Sequence, residues 1–322
     1  MSFLFTVVPL YILLKHVSFK EIIAELGKVP LKFVLLGFLF HLLAYFFRTM
    51  TMFLFLKEDR VSFPYLLSTH FLHNFYSQII PVGLGELAFP VLLRKQIATS
   101  KSIAVLIIQR LLTVVFITLL SYSSLFFLNT VFDEYRLREG LFIFSLIIMI
   151  GILALLFSVS SKKSAVNKTK SMGVIQFVVE KFRKVVFDIR SEIGKLIAPF
   201  FISKAILLTL LSISGVMLFY MSVLRGMDIR LTFFQTVFIS SIVLLTLITP
   251  IKSFGGFGTT EGAWAIGMMV LGFSKEISIR SGFVIHLFNL INVIVLFICG
   301  TVLRSRLTNH ALVSVNKELD KN

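Results

Sequence analysis

Long apolar runs separated by short polar turns set the pattern of this chain. Residues 31–56, 102–128, 140–159, 197–224 and 277–303 each approach or exceed the roughly 20 mainly apolar residues that a helix needs to cross hydrocarbon. Residues 231–249 form a further apolar run. Residues 2–14, with Pro9 in the middle, are short for a span. They lack the basic start and small-residue cleavage pattern of a removable signal, and read as a first membrane helix. Within residues 17–29, Phe19, Ile22, Ile23 and Leu26 alternate at helical spacing with Lys20, Glu21, Glu25 and Lys28. That predicts an amphipathic helix lying at the membrane interface. Residues 64–80 predict an apolar helix with one polar stripe. His70, His73, Asn74, Ser77 and Gln78 fall at i, i+3, i+4, i+7 and i+8 and share a face. Such a stripe must face protein or a water-filled cavity.

Two stretches interrupt the pattern. Residues 249–261 run Thr-Pro-Ile-Lys-Ser-Phe-Gly-Gly-Phe-Gly-Thr-Thr-Glu between two of the most apolar runs in the chain. Pro81-Val82-Gly83-Leu84-Gly85-Glu86 is a shorter version in the first half. Unpaired backbone groups are not tolerated in hydrocarbon, so each break must be buried in protein or line a wet cavity. Pro81 and Pro250 stop the preceding helix by removing a donor. Gly83, Gly85, Gly255, Gly256 and Gly258 let the chain turn and approach a ligand. A helix starting near Gly85 or Gly258 would present free N–H groups and a positive dipole end, suited to phosphate or carboxylate, with Lys252 adding charge beside the second.

Glu86 and Glu261 lie at those helix starts. Each is either a first-turn carboxylate that satisfies backbone donors or an intramembrane carboxylate that meets a cation, a proton or a substrate hydroxyl. Arg48 and Arg110 are counter-charges or phosphate contacts. His41, His70, His73 and His286, with Asn289 and Asn292, suit hydrogen bonding between helices, and Trp264 suits packing. The candidate headgroup cavity is therefore built from Glu86, Glu261, Gly83, Gly85, Gly255, Gly256, Gly258, Lys252, Arg48, Arg110, Asn74, Gln78 and His286.

The breaks belong to longer matching units. Pro30 to Ser62 and Pro199 to Leu231 have the same separation, as do Ser62 to Pro81 and Leu231 to Pro250. Laying residues 102–111 over 278–287 puts Arg110 on His286, and Glu86 corresponds roughly to Glu261. Repeat 1 spans about 30–128 and repeat 2 about 199–303, with a separator helix at 140–159. Each repeat has an even number of crossings, so the single separator inverts the second. The expected fold is an all-α polytopic helix bundle, one integral membrane domain over 1–322. It has about six to eight membrane segments and two inverted repeats with interrupted or re-entrant helices.

Composition supports this. Of 322 residues, 57% are hydrophobic and 15% charged, against about 25% charged in soluble domains. The net charge of +16 sits mostly in short loops, which reads as membrane orientation and anionic headgroup contact and not as nucleic-acid binding. The basic, partly amphipathic loop 160–195 and the residues Arg304, Arg306, Lys317 and Lys321 are expected to be cytoplasmic. The mixed loop 133–139 is expected outside, and Arg94, Lys95 and Lys101 inside. A lone Cys299 offers neither a disulfide framework nor a thiol metal site. His-Glu-x-x-His, Walker and Gly-x-Ser-x-Gly motifs are absent from the sequence, so no cofactor, metal or catalytic residue is expected.

Pro81…Gly85-Glu86-Leu87, Arg110-Leu111 and above all Pro250…Gly255-Gly256-Phe257-Gly258-Thr259-Thr260-Glu261-Gly262-Ala263, followed by Leu271-Gly272-Phe273-Ser274, carry a resemblance to a known family. It is the flippase-like integral membrane family related to the transmembrane region of lysylphosphatidylglycerol synthase/flippase. The likeness runs from about Leu31 to Leu303. An arginine that often follows the first glutamate by three residues is Phe89 here, with Arg94 nearest, and the arginine often found on the last helix is His286. The resemblance implies a multi-pass cell-membrane protein that moves phospholipids or polyprenyl-linked lipids between leaflets. With the chain ending at Asn322, lysyl transfer is not expected. The functional expectation is a lipid translocase acting on an anionic or aminoacylated lipid. The alternatives are a proton-coupled transporter of a small polar or anionic solute, and a non-transporting subunit that docks a lipid-modifying or glycosyltransferase partner.

Overall fold

The computed structural model describes residues 2–59, 61–128, 187–189, 191–193, 196, 199–248 and 253–319. The predicted separator helix 140–159, the loop 133–139, most of 160–195, and Pro250 and Lys252 lie outside these residues. The described residues contain helices and no strand. In chain order the helices are α1 (Ser2–Leu14), α2 (Phe19–Lys28), α3 (Leu31–Leu56), α4 (Phe63–Ile79), α5 (Ala88–Leu93), α6 (Thr99–Phe127), α7 (Pro199–Gly226), α8 (Phe233–Ile248), α9 (Thr259–Val270) and α10 (Lys275–Leu319). Short 3₁₀ turns occupy Lys57–Asp59, Pro81–Leu87 and Phe254–Gly256. Among the described residues, four helical stretches are long and apolar enough to cross a membrane: Leu31–Asp59, Thr99–Leu125, Ile202–Gly226 and Lys275–Thr308. Helix α1, at 13 residues, would reach only about 20 Å at 1.5 Å per residue, short of a bilayer core.

Helix α2 is the amphipathic segment. Ser18 and Glu21 close a reciprocal capping box at its start, Ser18 N–H to Glu21 Oε2 at 3.1 Å and Glu21 N–H to Ser18 Oγ at 3.3 Å. Such a box satisfies two orphan donors. Ile22 is fully buried while Phe19 and Ile23 are exposed, so the helix packs by one edge and leaves apolar area for the membrane interface.

The most extensive contact joins α3 and α7. Small residues allow it, since a Cβ on Gly215 would lie 2.9 Å from the Phe40 carbonyl oxygen and one on Gly37 would lie 3.3 Å from the Phe219 ring. Ser212 Oγ also donates to the Ala44 carbonyl at 3.0 Å. Close backbone approach plus interhelical hydrogen bonds is how helices associate where lipid supplies no hydrophobic drive. Around this pair, α4 packs on α10 and α6 on α8. Of the five buried apolar clusters among the described residues, two are the largest. One gathers Met52, Phe55, Leu66, Phe89 and Val105 of the first half. The other gathers Phe219, Ile239, Trp264, Met268 and Val284 of the second.

At both breaks the chain doubles back. Tyr65, in the first turn of α4, donates from its hydroxyl to the carbonyl of Leu92 near the end of α5 at 3.4 Å. Arg304 of α10 clamps the same place, donating to the Tyr65 hydroxyl at 2.6 Å and the Leu92 carbonyl at 3.0 Å. In the second half α9 returns along α8, with Gly267 against Ile239.

Candidate functional site

Helix α4 ends just before Pro81, which has no N–H to continue the ladder. The next seven residues wind as a 3₁₀ turn. Gly85 presses so closely on α4 that a Cβ there would overlap the Tyr76 carbonyl oxygen and fall 2.6 Å from Ser77 Cα. This packing changes the reading of Glu86. The sequence pattern put a helix start near Gly85, but α5 begins at Ala88 and Glu86 lies within the tighter 3₁₀ segment. Its carboxylate is held from the side: Arg110 of α6 donates from Nη2 to Oε1 at 2.7 Å, and His73 Nε2 of α4 lies 3.5 Å from Oε2.

The second break turns through Gly255, Gly256 and Gly258, and Gly258 (φ +83°) is the N-cap of α9. Glu261 is fully buried. Its Oε2 accepts the Gly258 N–H at 2.8 Å, and its Oε1 lies 2.6 Å from His286 Nδ1 on α10. With the carboxylate ionised, Nδ1 carries the shared proton. The pairs that the sequence overlay aligned therefore have the same form, a break glutamate bonded to a basic group on a later helix.

Helix α1 lies on this second break. Thr6 Oγ1 accepts the Phe254 N–H at 2.8 Å. The missing side chain of Gly258 leaves room for α1, because a Cβ there would sit 3.0 Å from Leu10 N, Pro9 Cβ and the Thr6 carbonyl oxygen. Thr6→Val removes the acceptor with little change of shape and should lower stability by about 1 kcal/mol, measured as a drop in thermal unfolding temperature in detergent.

Between the halves is a cavity of about 740 Å³, within the roughly 300–1,000 Å³ of small-molecule sites. Of the predicted site residues, Arg48, Asn74, Gln78, Gly83, Glu86, Arg110, Gly255, Gly256 and His286 line it. Gly85, Gly258 and Glu261 stand behind the wall, the last reaching it through His286. Pro81 starts the 3₁₀ turn. Asn289 also lines it, its amide donating to Gln78 Oε1 at 3.3 Å. Deeper in the bundle, Asn292 lies 3.1 Å from His41 Nδ1, Thr49 Oγ1 2.8 Å from His70 Nδ1, and Trp264 donates to Ser281 Oγ at 3.1 Å. Tyr45 and Tyr220 line the cavity too and were missed in the sequence. The signal for Tyr45 was available, since it shares a helical face with His41 and Arg48 at i+4 and i+3.

Two features decide what the cavity can hold. First, its wall is mixed. Charged and amide side chains come from α3, α4, the first break, α10 and, through Arg110, α6, while Leu106, Leu111, Val114 and Ile117 of α6 and Ile213 and Met217 of α7 make the aliphatic part. Second, its cations differ. Arg110 is committed to Glu86. Arg48 forms no ion pair among the described residues; its buried Nε has no hydrogen-bond partner there, and its guanidinium lies 5.8 Å from the Tyr45 ring. A guanidinium of this kind is chemically able to bind a carboxylate or phosphate.

No curated protein and no solved structure matches the chain at a significant level. The family model described as the lysylphosphatidylglycerol synthase TM region matches residues 1–298. With the helical membrane-spanning architecture and the match over nearly its whole length, this chain belongs to the lysylphosphatidylglycerol synthase transmembrane-region family.

Proposed function

We propose that the chain is a cell-membrane lipid translocase that carries the headgroup of a phospholipid or polyprenyl-linked lipid through the central cavity while the acyl chains stay in the bilayer. The observation that carries this reading is the mixed wall: Arg48, without an ion pair among the described residues, together with amides, and an aliphatic surface from α6 and α7 that only Arg110 and Thr113 interrupt on α6. A soluble anion would need only the polar part. An amphiphile with an anionic head uses both, and the volume suits a headgroup more than a whole two-chain lipid. The family's name refers to lysylphosphatidylglycerol, a phospholipid with an anionic phosphate and a cationic lysyl group, and so supports a phosphate-bearing lipid.

The two halves are read as inverted repeats whose broken segments re-enter. Support comes from the crosswise packing, in which α3 meets its counterpart α7 while α4 meets α10 as α8 meets α6. It comes also from the matched pairs Glu86–Arg110 and Glu261–His286.

The test is reconstitution of purified protein in liposomes with a fluorescent anionic phospholipid, following its transbilayer movement by chemical quenching of the outer leaflet. Wild type should accelerate the movement. Arg48→Gln should slow it about tenfold, the worth of one charge-assisted contact of roughly 1.4 kcal/mol, and Glu86→Gln should slow it as well by releasing Arg110. Unchanged rates in both variants would remove the cavity from the mechanism. Transport of a soluble anion in place of lipid would favour a secondary transporter.

A further inference from the structure

The two glutamate pairs differ in one chemical respect. In the first half the partner of Glu86 is an arginine, which stays charged at any accessible pH. In the second half the partner of the fully buried Glu261 is a histidine, the side chain whose ordinary charge change lies near neutrality. His286 has one ring nitrogen on Glu261 at 2.6 Å, and its ring lies on the cavity wall beside Gly256 and Thr260. Nε2 makes no hydrogen bond among the described residues; a Cβ built on Gly256 would lie 3.4 Å from it. While Nδ1–H is held by the carboxylate, the state of Nε2 decides what the wall offers. Neutral, it is an acceptor; protonated, it is a donor with positive charge.

The charges around the cavity make that difference count. Arg110 is balanced by Glu86, and Arg48 has no carboxylate of its own among the described residues. Glu261 lies behind the wall, and with His286 neutral its charge offsets that of Arg48, so the set sums to zero. One proton on His286 leaves it one positive charge in excess. We propose that the Glu261–His286 pair is a proton-binding site which sets the charge of the cavity, so that a phosphate-bearing anion and a proton are taken up together. The inference rests on the cavity being the ligand site, and coupling of the two ligands is reciprocal by linkage.

Other ionisable groups could answer the same proton and are named for the test. On α3 these are His41, bonded to Asn292, then Tyr45 and Arg48. Helix α4 supplies His70, bonded to Thr49, and His73 beside Glu86. Helix α7 supplies Tyr220 and α6 supplies Arg110. From α9 the group facing His286 is Glu261. On α10 itself Arg280 lies 3.6 Å from Glu21 of α2.

The experiment is titration calorimetry of the full chain in nanodiscs of zwitterionic lipid, with dihexanoylphosphatidylglycerol as one ligand and inorganic phosphate as the other. Each is run from pH 5 to 9 in buffers of different ionisation enthalpy, which counts protons taken up per ligand bound. Wild type should take up a fraction of a proton per lipid bound at one or more of these pH values. In His286→Arg, which gives the second pair the fixed charge of the first, the count should fall to near zero. The double variant Glu261→Gln/His286→Gln keeps an uncharged hydrogen-bonded pair and should also show none, which guards against a folding defect in either variant. Lipid binding by wild type with no proton uptake overturns this inference alone. Equal uptake in wild type and both variants places the proton on another named group and overturns it too. Proton-linked binding of phosphate without lipid supports the proton site and overturns the lipid reading. Binding of neither ligand overturns both.

Discussion

Alanine at His286 is expected to cost about 3–5 kcal/mol of stability, the penalty for leaving a buried charge without its hydrogen-bond partner. Glu261 has no exposed surface. Its two oxygens are committed to the Gly258 N–H and the imidazole, so loss of the ring leaves one oxygen of a buried carboxylate without its partner. Replacing both residues together, with Glu261→Gln and His286→Gln, should recover most of the loss because the charge goes with its partner. Denaturant titration or thermal unfolding in detergent reads both values. Additive effects of the two single replacements would show that the pair is not coupled and that Glu261 is stabilised by the Gly258 cap alone.

The second large effect is expected at Gly85. A valine there would drive its Cβ into the Tyr76 carbonyl oxygen and the backbone of Ser77. These are main-chain atoms of a packed helix and cannot rotate aside, so the cost should be about 3 kcal/mol or more. The result should be loss of monodisperse protein, or a first break displaced from α4 with Glu86 drawn away from Arg110. Gly83→Ala is the matched comparison. It meets no atom within 4 Å but has φ of +71°, so it should cost only the left-handed backbone term of about 1–2 kcal/mol. Similar losses at the two positions would mean that Gly85 is retained for flexibility and not for close approach.

Much of the fold was legible because hydrocarbon imposes a length on apolar runs. The stretch at 31–56 became α3 without shift, and the polar stripe on 64–80 became the cavity and histidine face of α4. The second break was legible for a different reason. A glycine N-cap three residues before a glutamate is a local device, and α9 begins where that device puts it. The first break was misread because Gly-Leu-Gly-Glu has the same composition but is shaped by a contact with Tyr76, which no local spacing encodes. The seat of α1 on Phe254 and Gly258 was invisible for the same reason, its partners being about 250 residues away in sequence. Arg48 and Arg110 were interchangeable in the sequence, each a lone cation in an apolar run. Only the position of Glu86 separates them.

The doubling back of the chain at each break has a mechanical consequence. A helix that crosses the bilayer is fixed at both surfaces, like a post. A hairpin whose two ends lie at one level is fixed at that level only, like a flap. In the first half the level is where Tyr65, Leu92 and Arg304 are tied together, and the free edge is the 3₁₀ turn carrying Glu86. In the second half the free edge carries Gly255, Gly256 and the start of α9. Glu86 of the first break and Gly255 and Gly256 of the second thus line the cavity from the hairpins, while Arg48 lines it from α3, one of the tightly crossed pair α3 and α7.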